Sequence, residues 1–412
     1  MIINKASSNK KLKNSILAIA SEATKAKKSD LEVINATAGM LKNEDGELYE
    51  FSCVENVIAN LSTSDKYAYA NSSGTPTYSK AVYIALFGKY YDELIKDTFL
   101  ECVSTPGGSG AITLAFTNYL DQGETVLLPN HMWENYLNFA TETGLNTLTY
   151  RLFNDQDSFD IEDLAKRVNS LKDKQKRIMI LVNDPCENPT GFCMEDKDYN
   201  GLINIAKNNP NNDFVYFMDV AYYDFYSTNP DIIRRRFIKL KDVPSNALVL
   251  FAFSGSKSFG LYGLRIGALV CMSKNKEEVE AFKDANDFSC RAKWSSSSKL
   301  GISIIEKLVL DDNYRHSYEE EVKKVCSMLE SRSIAFLNSS KEVGLKILPY
   351  QRGFFICVEC QNPIDAMVAL RKDKVYVIAT KSCLRIALCG INKEEAARLP
   401  KIIKNRLDKM EQ

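Results

Sequence analysis

Short, almost unbroken apolar runs recur through the middle of this chain, at Phe99–Val103, Thr125–Leu128, Arg177–Val182, Phe214–Met218, Ala247–Phe253 and Arg265–Met272, with helical patterns between them. Strands that carry Val, Ile, Leu and Phe on both faces must be covered on both faces. That requirement predicts an α/β architecture, a mostly parallel sheet with helices on either side. A chain of 412 residues exceeds the size at which one core keeps growing, so a second domain is expected. After Asn286 the pattern changes. A long helical region runs through Ile302–Ser331 and on to Asn338. Shorter strands follow at Gly344–Leu348, Gly353–Glu359, Val375–Ile378 and Leu384–Ala387, then a closing helix near Lys393–Met410. The expected division is a large domain over 56–300 and a small α+β domain over 301–412, the latter joined by the N-terminal segment 1–55.

Charge and composition exclude several classes of function. Lys plus Arg and Asp plus Glu number 53 each, so no global field draws the chain to nucleic acid or an acidic membrane. No apolar run reaches membrane-spanning length. Lys10–Ser29 has helical spacing and many lysines. Its large apolar residues are only Leu12, Ile16, Leu17 and Ile19, which suits a solvated helix resting on the protein body better than a membrane anchor. The start, Met1-Ile2-Ile3-Asn4-Lys5, leads into polar sequence without an apolar signal core, and a cytoplasmic location is expected. Eleven scattered cysteines read as buried free thiols. The two histidines, His131 and His316, offer little for a metal site, and none is expected.

The chemistry concentrates behind the strand Ala247–Phe253. There Ser254-Gly255-Ser256-Lys257-Ser258-Phe259-Gly260 leads on to Arg265. A lysine at the end of a buried strand is placed to form a Schiff base. Serine hydroxyls and a guanidinium suit a dianionic phosphate. An aldehyde that carries a phosphate is pyridoxal phosphate, whose sites pair a Schiff-base lysine with a partner for the pyridine nitrogen.

Further stretches match that requirement. Thr105-Pro106-Gly107-Gly108-Ser109-Gly110 follows a strand and opens the helix expected over Ile112–Leu120, so close backbone N–H groups and a helix N-terminus favour an anion. Asp219 closes a strand as a buried carboxylate fit to hold a protonated ring nitrogen. Asn188, in Asn188-Pro189-Thr190-Gly191, and Tyr222 can hydrogen-bond a ring hydroxylate, and Trp133 can stack on a ring.

From Ile34-Asn35 to the last helix, the chain resembles the class I aminotransferases of the fold-type I pyridoxal phosphate enzymes, the group of aspartate and aromatic aminotransferases. The resemblance implies a large cofactor domain with a mostly parallel, seven-stranded-type sheet. It puts the Schiff base on Lys257 and the phosphate on Gly108, Ser109, Ser254, Ser256 and Arg265. The pyridinium partner is then Asp219, the O3′ donors Asn188 and Tyr222, and the stacking ring Trp133. On the substrate side it implies Arg385 for the α-carboxylate, in Leu384-Arg385-Ile386, and the backbone of Gly39, in Ala36-Thr37-Ala38-Gly39. Tyr69 matches a cross-subunit phosphate ligand, with Tyr67 as its rival. Arg291 either meets a distal carboxylate across a homodimer or is a surface arginine on a helix. Two departures stand out: Asn183 where relatives often have histidine, and Gly263-Leu264 in place of a polar pair before Arg265.

The implied activity is transfer of an amino group between an L-amino acid (aspartate, glutamate or an aromatic one) and a 2-oxo acid, in two half-reactions. A lyase on the same cofactor residues, or a non-catalytic regulator, are the alternatives.

Overall fold

The computed structural model describes residues 2, 3, 5–8, 10 and 16–411. The strands are β1 (Ile34–Asn35), β2 (Phe99–Thr105), β3 (Thr125–Pro129), β4 (Asn146–Tyr150), β5 (Arg177–Asn183), β6 (Asp213–Asp219), β7 (Ala247–Ser254), β8 (Gly267–Ser273), β9 (Phe355–Glu359), β10 (Val375–Tyr376), β11 (Ile378–Ala379) and β12 (Cys383–Ala387). The chain divides into two compact units. One holds Leu48–Ser331 and Pro349–Phe355; the other holds residues 1–47, 332–348 and 356–412.

The first unit is built on a seven-stranded sheet of order β2-β8-β7-β6-β5-β3-β4. Only β8 runs against its neighbours; β7, β6, β5, β3 and β4 are parallel. Every residue of β7 and β8 is buried, as their unbroken apolar sequence requires. Val103, Leu128, Leu181, Phe217, Leu250 and Leu269 from the strands meet Ile112, Ala115 and Phe116 of the helix Gly107–Tyr119 in one core cluster.

Register decides where the chemistry sits. Asn183 is opposite Asp219, and Asp219 is opposite Ala252, so β5 and β6 end together and β7 runs two residues further, to Ser254. Thr105 and Ser254 both pair with Gly267, which aligns the end of β2 with the end of β7. The carboxyl ends of such strands are where ligands bind in open α/β sheets.

The second unit carries a two-stranded parallel pair, β1 with β10, and a three-stranded sheet of order β11-β12-β9. Its helices include Ile16–Ser29, Pro363–Leu370 and Lys393–Glu411. The helix expected over Lys10–Ser29 is described from Ile16; residues 11–15 lie outside the described residues. Its buried face includes Ala23.

Two expectations are corrected. Gly344–Leu348 makes only an isolated antiparallel bridge, Ile347 to Val358, rather than a strand. Gly344 at φ +66° has just closed the helix Asp312–Val343, and Pro349 beyond offers no N–H, so only a single bridge fits between them. The helical region from Ile302 is two helices, Lys299–Leu310 and Asp312–Val343. Asp311 adopts an extended conformation between them, and its carboxylate accepts the Asn313 N–H at 3.1 Å. Among the described residues, no helix is long and apolar enough to cross a membrane.

Candidate active site

Lys257 lies in the single turn Gly255–Ser258 that follows β7. Its Nζ stands over three rings, 4.9 Å from the centroid of Tyr262 and 5.9 Å from those of Tyr222 and Phe354. From Tyr222 a line of contacts crosses the strand ends. The Tyr222 hydroxyl accepts from Asn188 Nδ2 at 3.4 Å, and the Asn188 N–H donates to Asn183 Oδ1 at 2.8 Å. Asn183 Nδ2 then donates to the Asp219 carbonyl at 2.8 Å. The structure therefore gathers Lys257, Tyr222, Asn188 and Asp219 into one constellation.

Asp219 is 5 % exposed. Burial pushes its carboxyl above the usual value, while the Tyr136 hydroxyl and the Ala221 N–H, at 2.6 and 3.1 Å, work in the opposite direction. Such a buried carboxylate gains from a cationic partner. Tyr136 itself is fully buried, and burial followed by the Asp219 charge holds its hydroxyl well above its usual value, so it remains a donor. Sequence reasoning missed this residue. Its signal was the spacing to Trp133. At the start of the helix Asn135–Thr143, a separation of three residues brings the two rings together at 5.5 Å, edge to face. Trp133 is half-buried against the core.

A second cluster forms where β2 and β7 end. Arg265 Nη1 donates to Ser256 Oγ at 3.1 Å and to the Tyr262 carbonyl at 2.9 Å; Nη2 reaches the Pro106 carbonyl at 3.5 Å. Ser254 Oγ accepts the Ser256 N–H at 3.3 Å. The helix expected from Ile112 begins earlier, at Gly107, which places Gly108 and Ser109 in its first turn. There the backbone N–H groups have no partner within the helix.

Two glycines make this closeness possible. A Cβ on Gly107 (φ +68°) would stand 2.5 Å from Arg265 Nη2, and one on Gly267 would stand 2.5 Å from the Phe253 carbonyl. Arg265 itself is left-handed at φ +52°, a conformation that costs a non-glycine residue about 1 kcal/mol or more.

Tyr69 and Arg291 are exposed and stand outside both clusters. Tyr69 is 96 % exposed, and Arg291 donates to Ser295 Oγ at 2.9 Å from the helix Lys276–Lys293. In the other unit, Arg385 lies in the middle of β12, 4 % exposed, and donates to the Thr37 carbonyl at 2.8 Å. Gly39 is half-buried just beyond Thr37, in a stretch without regular structure.

Residues 32–403 match the family model for aminotransferase class I and II. The chain belongs to that family. This aminotransferase is 25% identical over 353 residues to the aspartate aminotransferase of Escherichia coli (strain K12), covering 83% of each chain. It is also similar to the crystal structure of an aminotransferase from Anaerococcus prevotii, at 29% identity and a TM-score of 0.94. That match covers 99% of this chain and 100% of that one. The aromatic-amino-acid aminotransferase of Burkholderia pseudomallei, solved covalently bound to pyridoxal phosphate, shares the fold. There the TM-score is 0.81 at 20% identity, over 98% of this chain and 100% of the other.

The aminotransferase is thus an enzyme, and the group bound in the Burkholderia pseudomallei structure is pyridoxal phosphate. The side chains fit that group. Serine hydroxyls, a guanidinium and a helix N-terminus gather at one end for a phosphate. A buried carboxylate that gains from a cation stands at the other, and an amine, a phenol and an amide lie within the same constellation.

Proposed function

We propose that this enzyme transfers the amino group of aspartate, glutamate or an aromatic amino acid to a 2-oxo acid, with Lys257 as its catalytic residue. One observation carries the reading: the unbroken line of contacts from Lys257 through Tyr222, Asn188 and Asn183 to Asp219. When bound, pyridoxal phosphate supplies an aldehyde for an amine and a ring that draws electron density from the substrate Cα. Ser254, Ser256, Arg265 and the N–H groups of Gly108 and Ser109 bind the phosphate. Asp219, held by Tyr136, keeps a proton on the ring nitrogen. Asn188 and Tyr222 donate to the ring oxygen, and Trp133 covers a ring face. The Lys257 amine moves a proton from Cα, the role for which a lysine at the end of a rigid strand is suited.

Arg385 grips the α-carboxylate with a planar fork, and the Gly39 backbone lies over the substrate. The working form is a cytoplasmic homodimer. Tyr69 and Arg291 serve the neighbouring subunit's site, Tyr69 at the phosphate and Arg291 at a distal carboxylate. Their exposure on the single chain supports this.

The test is the visible spectrum of the purified holoenzyme, titrated separately with aspartate, glutamate, phenylalanine, tyrosine and alanine. Loss of the yellow absorbance with one or more of them is expected, and Lys257→Ala is expected to abolish turnover. Transamination retained by Lys257→Ala would sink the assigned role.

A further inference from the structure

Arg332 is the largest side chain in the described residues that is sealed completely from solvent. Its guanidinium reaches two separate stretches of chain. On one stretch, Nε donates to Glu44 Oε1 at 2.9 Å, and Nη2 stands 2.7 Å from the same oxygen and donates to the Lys42 carbonyl at 2.9 Å. On the other, Nη1 donates to the carbonyls of Cys389 at 3.2 Å and Leu388 at 3.4 Å. Lys42–Glu44 directly continues the Gly39 stretch, and Leu388–Cys389 directly continues the strand β12 that carries Arg385.

The same two stretches are laced together closer to the substrate residues. The Lys42 N–H donates to the Cys389 carbonyl at 2.8 Å, the Ala387 N–H to the Ala36 carbonyl at 3.0 Å, and Arg385 Nη2 to the Thr37 carbonyl at 2.8 Å. Glu44 adds one more tie, accepting the Lys393 N–H at 2.9 Å at the start of the helix Lys393–Glu411.

A buried charge is an expensive way to fill this space, because an apolar side chain of similar volume often serves stability as well or better. A guanidinium does something an apolar group cannot. Where β12 gives way to the turn Leu388–Gly390, the carbonyls leave the sheet ladder while still buried, and a rigid fork of donors holds them at fixed angles.

We propose that Arg332 is a positioning residue for substrate carboxylate binding, fixing β12 and the stretch 36–44 relative to each other so that Arg385 and Gly39 present one preformed cradle. This rests on the reading above that Arg385 and Gly39 receive the substrate. Preorganisation of this kind acts on binding, and small misplacement of a clamp has large consequences.

The holoenzyme variants Arg332→Met, Arg332→Lys, Glu44→Gln and Arg385→Gln are compared by single-turnover reduction of absorbance with an amino acid and with its decarboxylated amine. For Arg332→Met, KM for the amino acid rises roughly 10- to 100-fold, with the rate at saturation changed far less and the carboxylate-free amine reacting as in the parent. Arg332→Lys, a point charge without the fork, recovers only part of the loss. Glu44→Gln changes a half-exposed partner, so it folds even where Arg332→Met does not, and raises the same KM by a smaller factor in the same carboxylate-selective way.

An unchanged KM in both Arg332→Met and Glu44→Gln, or an equal loss for the amine, overturns the positioning role while a raised KM in Arg385→Gln leaves the substrate reading intact. If Arg385→Gln itself leaves KM unchanged, the substrate reading fails, and this inference with it.

Discussion

At the scale of single residues, the site depends on groups whose neighbours set their state. Asp219 is the clearest case: burial alone would favour its neutral form, and the donors from Tyr136 and Ala221 restore part of the charge. Tyr136→Phe removes one of those donors without changing the packing of the ring. The Asp219 carboxyl then titrates higher still. The acidic limb of the pH–kcat profile moves to higher pH, and kcat falls about 10-fold, as expected when a hydrogen bond to a charged group of about 1.5 kcal/mol is lost. An unmoved limb would mean that Tyr136 only packs. Lys257, Asp219, Asn188, Tyr222 and Arg265 were legible as residues because each belongs to a motif at a strand end. Tyr136 was not, and Asn183 stood out only as a departure from the family pattern, since an isolated Tyr or Asn acquires its role from what it touches.

Elements carry a different kind of information. The central strands announced themselves because burial on both faces leaves no room for polar residues. β4 escaped notice for the converse reason. It is one of the two edge strands, its first residues are exposed, and Asn146-Thr147-Leu148-Thr149 reads like a loop. Helix ends show the same division. Ser298 and Thr75 cap their helices from the adjoining residue, where sequence can reveal it.

The helix Ser52–Asn60 is capped from far away. Phe51 has nothing to offer, and Glu321 instead accepts from the N–H groups of Ser52 and Cys53, each at 2.9 Å, and from Ser52 Oγ at 3.0 Å. Burial works to raise the Glu321 carboxyl, but the Cys53 thiol together with those donors outweighs it and leaves it below the usual range. A depressed value contributes stability above the unfolded pKa, and that contribution disappears as pH falls through the folded one. Glu321→Ala should therefore lower stability by about 1 kcal/mol at neutral pH, with the gap narrowing below about pH 4. Thermal unfolding of parent and variant at both pH values measures it, and a gap independent of pH would remove the capping charge as its cause.

For the whole molecule, the proposed homodimer makes two residues on the surface of one chain part of another chain's chemistry. Light scattering should return twice the 46.5 kDa chain mass. Arg291→Ala should weaken aspartate far more than phenylalanine. An active monomer would defeat the dimer, and equal losses for the two substrates would defeat the distal-carboxylate role. The division into units also exceeds what local pattern conveys. Its boundary at 331/332 falls inside the continuous helix Asp312–Val343, where no glycine, proline or change of composition marks it.

What the sequence determined by itself was the covered parallel sheet, the lysine at the end of β7, and the serines and arginine around it. All of these are short-range patterns, in which hydrophobic periodicity and strand-end motifs speak directly. Tertiary structure alone decided that Asn183 joins Asn188 to Asp219, that Tyr136 supports the carboxylate, and that Arg332 ties Lys42 and Glu44 to Cys389. These partners lie far apart along the chain. A buried polar group is satisfied by whatever the fold brings within about 3 Å, and that distance is not written in local sequence.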